Sequence, residues 1–168
     1  METIEKTIEV DAPVSKVYNQ WTQFEEFPRF MEGIEAVKQV DDKHLHWVAE
    51  VGGMKKEWDA EIVYQVPDER IGWRSTAGTT NNGVVNFKAK DDRHTIITLK
   101  MTYDPEGPVE NLGDALGLLS RRVEGDLKRF KEFIQERRTE TGAWRGEIYK
   151  EKVSPPDPDY DASGKTGL

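Results

Sequence analysis

Apolar and polar residues alternate with a period of two through much of the first hundred positions, and the period changes to about 3.6 after Pro105 and Pro108. From Thr3 to Val10, Ile4, Lys6, Ile8 and Val10 oppose Thr3, Glu5, Thr7 and Glu9, which predicts a strand with apolar residues on one parity only. Six further strands are predicted at about 34–41, 44–51, 56–65, 70–76, 83–90 and 94–103. Their turns are written as Asp41-Asp42-Lys43, Gly52-Gly53, Pro67-Asp68-Glu69, Asn81-Asn82-Gly83 and Asp91-Asp92-Arg93. The stretch from Ala77 to Asn82 reads as a small polar hairpin tip. Connections this short join antiparallel neighbours. Two short helices are predicted after the first strand. Asp11 is the expected cap of the first, with Pro13 in its first turn and Val14, Val17, Tyr18 and Trp21 at helical spacing. The second, around 25–31, carries Phe24, Phe27, Phe30 and Met31 and ends at Gly33.

Trp47, Trp58 and Trp73 fall on three successive strands, each at the parity of the other apolar residues. Trp47 shares its face with Leu45, Ala49 and Val51, Trp58 with Ala60, Ile62 and Tyr64, and Trp73 with Ile71. The opposite parity of the middle strand holds Glu57, Asp59 and Glu61, which are expected to solvate the back of the sheet. An indole is a large apolar body with one N–H donor, equally suited to a cavity wall or a packed core.

Leu112, Leu116, Leu119, Val123, Leu127, Phe130 and Ile134 recur every three or four residues and predict one helix over about 109–138. Such a helix is about 45 Å long, enough to cross a whole sheet. Its basic run, Arg121, Arg122, Lys128, Arg129, Lys131, Arg137 and Arg138, reads as a solvated face complementing the helix dipole. Gly113 and Gly117 each cost the helix about 1 kcal/mol relative to alanine. They leave room for a ligand or allow close backbone packing. Residues 1–138 form the domain on this reading. Residues 139–168, rich in Pro, Gly and charge, read as a polar, flexible tail, with Trp144, Ile148, Tyr149 and Val153 as apolar exceptions.

Composition narrows the function. The chain has 168 residues, a net charge of −8 and no cysteine, with a pI near 5.0 and a mean hydropathy of −0.76. An acidic chain argues against nucleic-acid binding and against electrostatic docking on an anionic membrane. Without cysteine there are neither disulfides nor thiolate metal sites. No segment has the apolar length of a signal peptide or of a spanning helix, so no stable membrane insertion is expected and the cytoplasm is the simplest location.

Catalytic chemistry leaves little trace. No nucleophile elbow and no His-centred triad is visible. His44, His46 and His94 sit beside turns at polar parity and are expected to be exposed; no metal site and no cofactor are expected. Tyr64, Tyr103 and Ser75 are the polar groups available to an apolar face, with Arg74 or Asn86 joining only if a bulge re-aims them. The stripe of the long helix has no clear inward acid or histidine.

The order of elements and several local segments resemble the START and Bet v 1-like (SRPBCC) superfamily, in its bacterial polyketide cyclase/dehydrase branch, which includes the coenzyme Q-binding proteins. The segments are Val10-Asp11-Ala12-Pro13-Val14-Ser15-Lys16-Val17-Tyr18, Trp21, Phe24-Glu25-Glu26-Phe27-Pro28-Arg29-Phe30-Met31, Trp58-Asp59-Ala60-Glu61-Ile62, Pro67-Asp68-Glu69-Arg70-Ile71-Gly72-Trp73 and Arg121-Arg122-Val123-Glu124-Gly125-Asp126-Leu127-Lys128-Arg129-Phe130. The resemblance covers about residues 1–138. It implies an α+β helix-grip fold, in which a curved seven-stranded antiparallel sheet wraps the long C-terminal helix, with two short helices after the first strand.

It also implies a cavity between sheet and helix. The sheet side of that cavity would be Trp47, Ala49, Val51, Trp58, Ala60, Ile62, Tyr64, Trp73, Ser75, Phe87, Leu99, Met101 and Tyr103. The helix side would be Leu112, Leu116 and Leu119, and the mouth Phe27, Phe30 and Met31. The expected partner is a hydrophobic small molecule such as a lipid, a quinone or a polyketide-like compound, bound without chemistry. Two alternatives remain open: a cyclase or dehydratase acting on an aromatic polyketide-like substrate, and a chaperone-like interaction module with a collapsed pocket. The oligomeric state is left undetermined.

Overall fold

The computed structural model describes residues 2–103, 112–137 and 139–156, with the side chains of Glu2, Tyr103 and residues 112–116 outside that description. The strands are β1 (Glu2–Val10), β2 (Ile34–Gln39), β3 (His44–Val51), β4 (Met54–Val66), β5 (Arg70–Gly78), β6 (Asn81–Asp91) and β7 (His94–Tyr103), followed by the short β8 (Glu147–Tyr149) and β9 (Lys152–Ser154). The helices are α1 (Val14–Trp21), a 3-10 segment (Phe24–Arg29) and α2 (Leu112–Arg137). Strand order is β1-β7-β6-β5-β4-β3-β2 with every pair antiparallel, so the seven expected strands form one meander closed by β1 against β7. No described helix is long and apolar enough to cross a membrane.

The core lies between the concave face of this sheet and α2. Ile97, Val85, Ile62 and Ile71 of the sheet share one buried hydrophobic cluster with Phe130, Ile134, Leu127 and Val123 of α2. From Leu119 to Ile134 the helix stripe read from the sequence is therefore the stripe that packs. At about 1.5 Å per residue, its 26 residues span roughly 39 Å. Trp21, Phe24, Phe27 and Phe30 pack edge-on or tilted between α2 and the sheet, with ring centroids 5.2–5.5 Å apart along the chain of contacts Trp21–Phe27, Phe24–Phe27, Phe27–Phe30 and Phe30–Phe130.

Several local expectations are corrected. Pro13, not Asp11, occupies the N-cap of α1; its carbonyl accepts from Lys16 and Val17, and no side chain caps the end. Asp11 instead donates its backbone N–H to Gln135 of α2. Asn81, Asn82 and Gly83 belong to β6, and the β5–β6 turn is made by Thr79 and Thr80 after Gly78. Gly78 has a φ of +84°, and a Cβ there would stand 2.3 Å from the Glu57 carbonyl oxygen, so the tight turn requires glycine. Gly52 and Gly53, at +59° and +80°, form the β3–β4 turn as their sequence implies.

Residues 139–156 do not form the flexible tail that their composition predicts. β4 is five residues longer than β3, and beyond the end of β3 its edge is taken by β8, with Gln65 opposite Ile148. Ile148 is fully buried. Arg145 donates two hydrogen bonds to the Asp68 carboxylate, at 2.9 and 2.8 Å, and a third to Asn19 at 2.8 Å. Gln20 exchanges two hydrogen bonds with Thr141, and the Trp144 backbone donates to Thr22. Polar composition here reflects polar docking, not an absence of docking. Residues 157–168 lie outside the described residues.

Candidate functional site

A cavity of about 150 Å³ lies between the concave face and α2. β3 contributes Leu45, Trp47, Ala49 and Val51; β4 contributes Lys56, Trp58 and Ile62. β5, β6 and β7 add Ile71 and Trp73, Asn81 and Val85, and Leu99 and Met101, with Thr79 from the turn. The opposite wall is Leu119, Arg122, Val123, Asp126 and Leu127 of α2. Trp21, Phe24, Phe27, Met31 and Ile34 close one side. Alternation on the strands brings these side chains together, because residues two apart share a face and the antiparallel register sets equivalent parities side by side.

The indoles have distinct environments. Trp47 and Trp58 are directly opposed across β3 and β4, and their rings stack with centroids 5.8 Å apart and planes 5° from parallel. Trp73 donates its Nε1–H to the Asn81 side-chain oxygen at 3.1 Å. Trp21 is buried against Phe27, Phe87 and Phe130.

Of the sheet positions expected at the cavity, Trp47, Ala49, Val51, Trp58, Ile62, Trp73, Leu99 and Met101 line it, as do Leu119 of the helix and Phe27 and Met31 of the mouth. Ala60 and Phe87 are buried in the core beside it, Phe87 against Tyr18 and Trp21. Phe30 packs on Phe130 and Phe133 and is core, not mouth. Tyr64 leaves the concave face because the β4–β5 register shifts between Ile62 and Tyr64; its ring meets Tyr149, and Gln65 is buried instead. Ser75 lies in β5 and is tied across to the start of β6, where its Oγ accepts from the Asn81 backbone and its own N–H donates to the Asn82 side chain. The side chains of Tyr103, Leu112 and Leu116 lie outside the described residues.

Residues that alternation alone did not bring to the site include Trp21, Phe24 and the polar rim of α2. Trp21 and Phe24 were legible as apolar helix positions but not as cavity walls, because the direction of a short helix against a sheet is a tertiary property. Rim residues come from the basic run of α2, which is not a plain solvated face. Arg122 donates to the Glu50 carbonyl at 2.8 Å and to the Glu32 carbonyl at 3.4 Å. Arg129 donates to the Phe30 carbonyl at 3.1 Å and is paired with Asp126. Gly33, with a φ of +86°, lets the Arg122 contacts form: a Cβ there would stand 1.8 Å from Arg122 Nη1.

Asp126 is the inward acid that the helix stripe did not reveal. Its carboxylate accepts from the Glu32 backbone N–H at 2.9 Å and from Arg129, yet burial outweighs both and pushes its pKa up to about 6. On the back of the sheet, Glu61 is buried, not solvated as its parity implied. Burial raises its pKa, but Arg74 at 2.9 Å and Lys43 at 3.4 Å more than offset this and hold it below the usual value. Arg74 also pairs with Glu151 of the β8–β9 turn at 2.9 Å. His44, His46 and His94 each lie beside a carboxylate, of Asp41, Asp59 and Asp91 respectively, and the Asp59 partner raises the pKa of His46. Among the described residues no three His, Asp or Glu side chains converge as metal ligands. The site is thus an apolar chamber with a few polar groups at its rim, a composition suited to holding a small apolar body.

Comparison with known proteins agrees with this geometry. The family profile described as polyketide cyclase / dehydrase and lipid transport matches residues 10–132. An uncharacterised 17.2 kDa protein from the melC2-rnhH intergenic region of Streptomyces lincolnensis is 50% identical over 149 residues, covering 88% of this chain and 99% of that protein. Among solved structures, a START superfamily protein from Mycobacterium smegmatis superposes with a TM-score of 0.72 at 16% identity, covering 80% of this chain and 97% of that one. The Zhui aromatase/cyclase from a Streptomyces species gives a TM-score of 0.69 at 15% identity, covering 84% and 98%. At those identities the two structures speak for the fold alone. With the family profile spanning most of the domain and the helix-grip sheet and helix in place, the chain belongs to the polyketide cyclase/dehydrase and lipid transport family of the SRPBCC superfamily.

Proposed function

We propose that the protein binds a hydrophobic small molecule in the cavity between sheet and α2 and performs no chemistry on it. The observation that carries this reading is a chamber of about 150 Å³ walled by indoles and aliphatic side chains. A space of that size accommodates one or two small rings. It is below the roughly 300–1,000 Å³ of pockets that engulf a whole drug-sized ligand. The occupant is therefore a compact ring compound, or the ring end of a lipid, quinone or polyketide-like molecule whose remainder passes the rim of Met31, Gly33, Glu50 and Arg122. Native mass spectrometry of the protein purified from its own cells tests this directly. A co-purifying apolar mass released by solvent supports it; a consistently empty protein that also takes up no apolar probe overturns it.

A second reading, a cyclase or dehydratase, is favoured by one feature only: Asp126 lines the cavity with its pKa raised to about 6, in the range of a general acid or base. The carboxylate is already engaged by Glu32 and Arg129, which supports a role in holding the rim. A poly-β-keto thioester mimic that loses water on incubation with wild-type protein, and not with D126N, would establish the enzymatic reading. The chaperone-like alternative loses support because its exposed segment, Trp144 to Tyr149, is docked on the chain's own body.

A further inference from the structure

Resting on the reading of the cavity as a ligand site, we propose that Asn81 is its specificity-determining residue: the side-chain amide donates to an oxygen of the ligand, and the Trp73 indole holds it in the donating orientation. The sheet places Asn81 on the cavity side. On β6, Val85 lines the cavity and Phe87 is buried in the core, so the odd-numbered residues face the concave side. Asn81 shares their parity and lines the same cavity. The Trp73 ring lies on that face too: a Cβ added to Gly83, between Asn81 and Val85, would stand 2.6 Å from its Cζ2. It is this ring whose Nε1–H donates to the Asn81 side-chain oxygen.

That hydrogen bond decides what Asn81 offers. An indole N–H only donates, so the amide atom beside it is the oxygen and the NH₂ group is turned away from Trp73. The backbone is fixed as well, because the Asn81 N–H donates to Ser75 Oγ at 3.1 Å. Among the described residues the Asn81 NH₂ group has no acceptor. Asn81 is half-buried, and its amide nitrogen is not one of the sealed, unpaired polar atoms, which belong to Tyr18, Trp21, Gln65 and Glu140. It therefore keeps surface that an occupant of the cavity can reach. Arg122 and Asp126, across the cavity, already bond backbone groups of Glu32 and Glu50. An oriented, neutral donor in an apolar wall selects a ring compound bearing a carbonyl or hydroxyl oxygen. A pure hydrocarbon in the same place strips water from the amide and returns no hydrogen bond.

The test uses a matched pair, indane and 1-indanone, which differ by one carbonyl oxygen, in calorimetric titrations. Relative to the wild type, N81L should bind indanone about tenfold more weakly and indane within about twofold. W73F frees the amide to turn, so it should lower the indanone-to-indane affinity ratio in the wild type and leave that ratio unchanged in N81L. In ¹⁵N-labelled wild-type protein, which needs no substitution, the Asn81 side-chain N–H resonances should move further downfield with indanone than with indane. Equal losses for both probes in N81L, or Asn81 resonances that respond alike to both, would overturn the proposal and mark the amide as simply hydrated. A ratio that W73F leaves unchanged would strike the orienting part of Trp73. If neither probe binds the wild type, the ligand-site reading fails and takes this inference with it. If both bind and N81L treats them alike, the cavity reading stands and only the Asn81 contact is rejected.

Discussion

The two halves of β4 face different problems and solve them differently. From Met54 to Ile62 the strand is paired with β3 and turns Trp58 and Ile62 to an apolar chamber. Beyond the register shift at Ile62/Tyr64, it runs past β3, buries Gln65 and is paired by the C-terminal β8. Apolar walls carry no hydrogen-bonding obligation, so a space can remain between them. Buried amides and an unpaired strand edge require partners, and the chain returns from α2 to supply them. The cavity stands where polar demand is lowest, and the added segment stands where it is highest.

Three changes break or sharpen this contrast, in decreasing order of expected effect. Trp58→Ala removes both a cavity wall and the stacking partner of Trp47. It should cost about 3 kcal/mol in denaturant unfolding and weaken uptake of an apolar fluorescent probe. Lost stability with unchanged uptake would make Trp58 core and not wall. Arg145→Ala unties the polar half. Its side chain is 9% exposed and bridges Asp68, itself held at a left-handed φ of 63°, to α1. The loss should be about 2 kcal/mol, with faster hydrogen exchange at β8 and unchanged probe affinity. A fall in affinity would show that the two halves are coupled.

The third change concerns pH. The Asp126 pKa of about 6 lies above its unfolded value, so between about pH 4 and 6 the folded state binds more protons. This group's contribution therefore makes stability fall as pH rises through that window. Its full share is present below pH 4 and lost above pH 6. Asp126→Asn should remove that component, roughly 1 kcal/mol after allowing for solvent at the rim, seen by comparing urea midpoints at pH 4.5 and 7. Parallel pH profiles for variant and wild type would show that the carboxyl is not desolvated.

Particular residues show where sequence reading succeeds. Trp47 opposite Trp58, the Gly52-Gly53 turn and the stripe from Leu119 to Ile134 were all legible, because alternation, positive φ and helical spacing are local properties. Phe30, placed at the mouth by the resemblance, packs on α2 instead because the direction of a short helix is a tertiary property, whereas Tyr64 and Ser75 were misplaced by strict periodicity. A one-residue shift reverses a strand's faces, and nothing in the residue types announces it. Asn19 and Gln20 look like the solvent side of α1 and are buried only because residues 140–145 return across them. Arg122, Asp126 and Arg129 look like surface charge until the Glu32–Gly33 backbone is brought beside them.

By itself, then, the sequence determined the element order, the antiparallel meander, the long amphipathic helix and the indole-rich face, because each follows from periodicity within a few residues. Only the tertiary structure decided that this face encloses a space, that the rim is fastened by α2 side chains on backbone carbonyls, and that the C-terminal segment completes the sheet. Those outcomes depend on contacts between residues tens of positions apart. Whether a polar group is solvated or buried, and an apolar one packed or left facing a void, is set by what the rest of the chain brings against it.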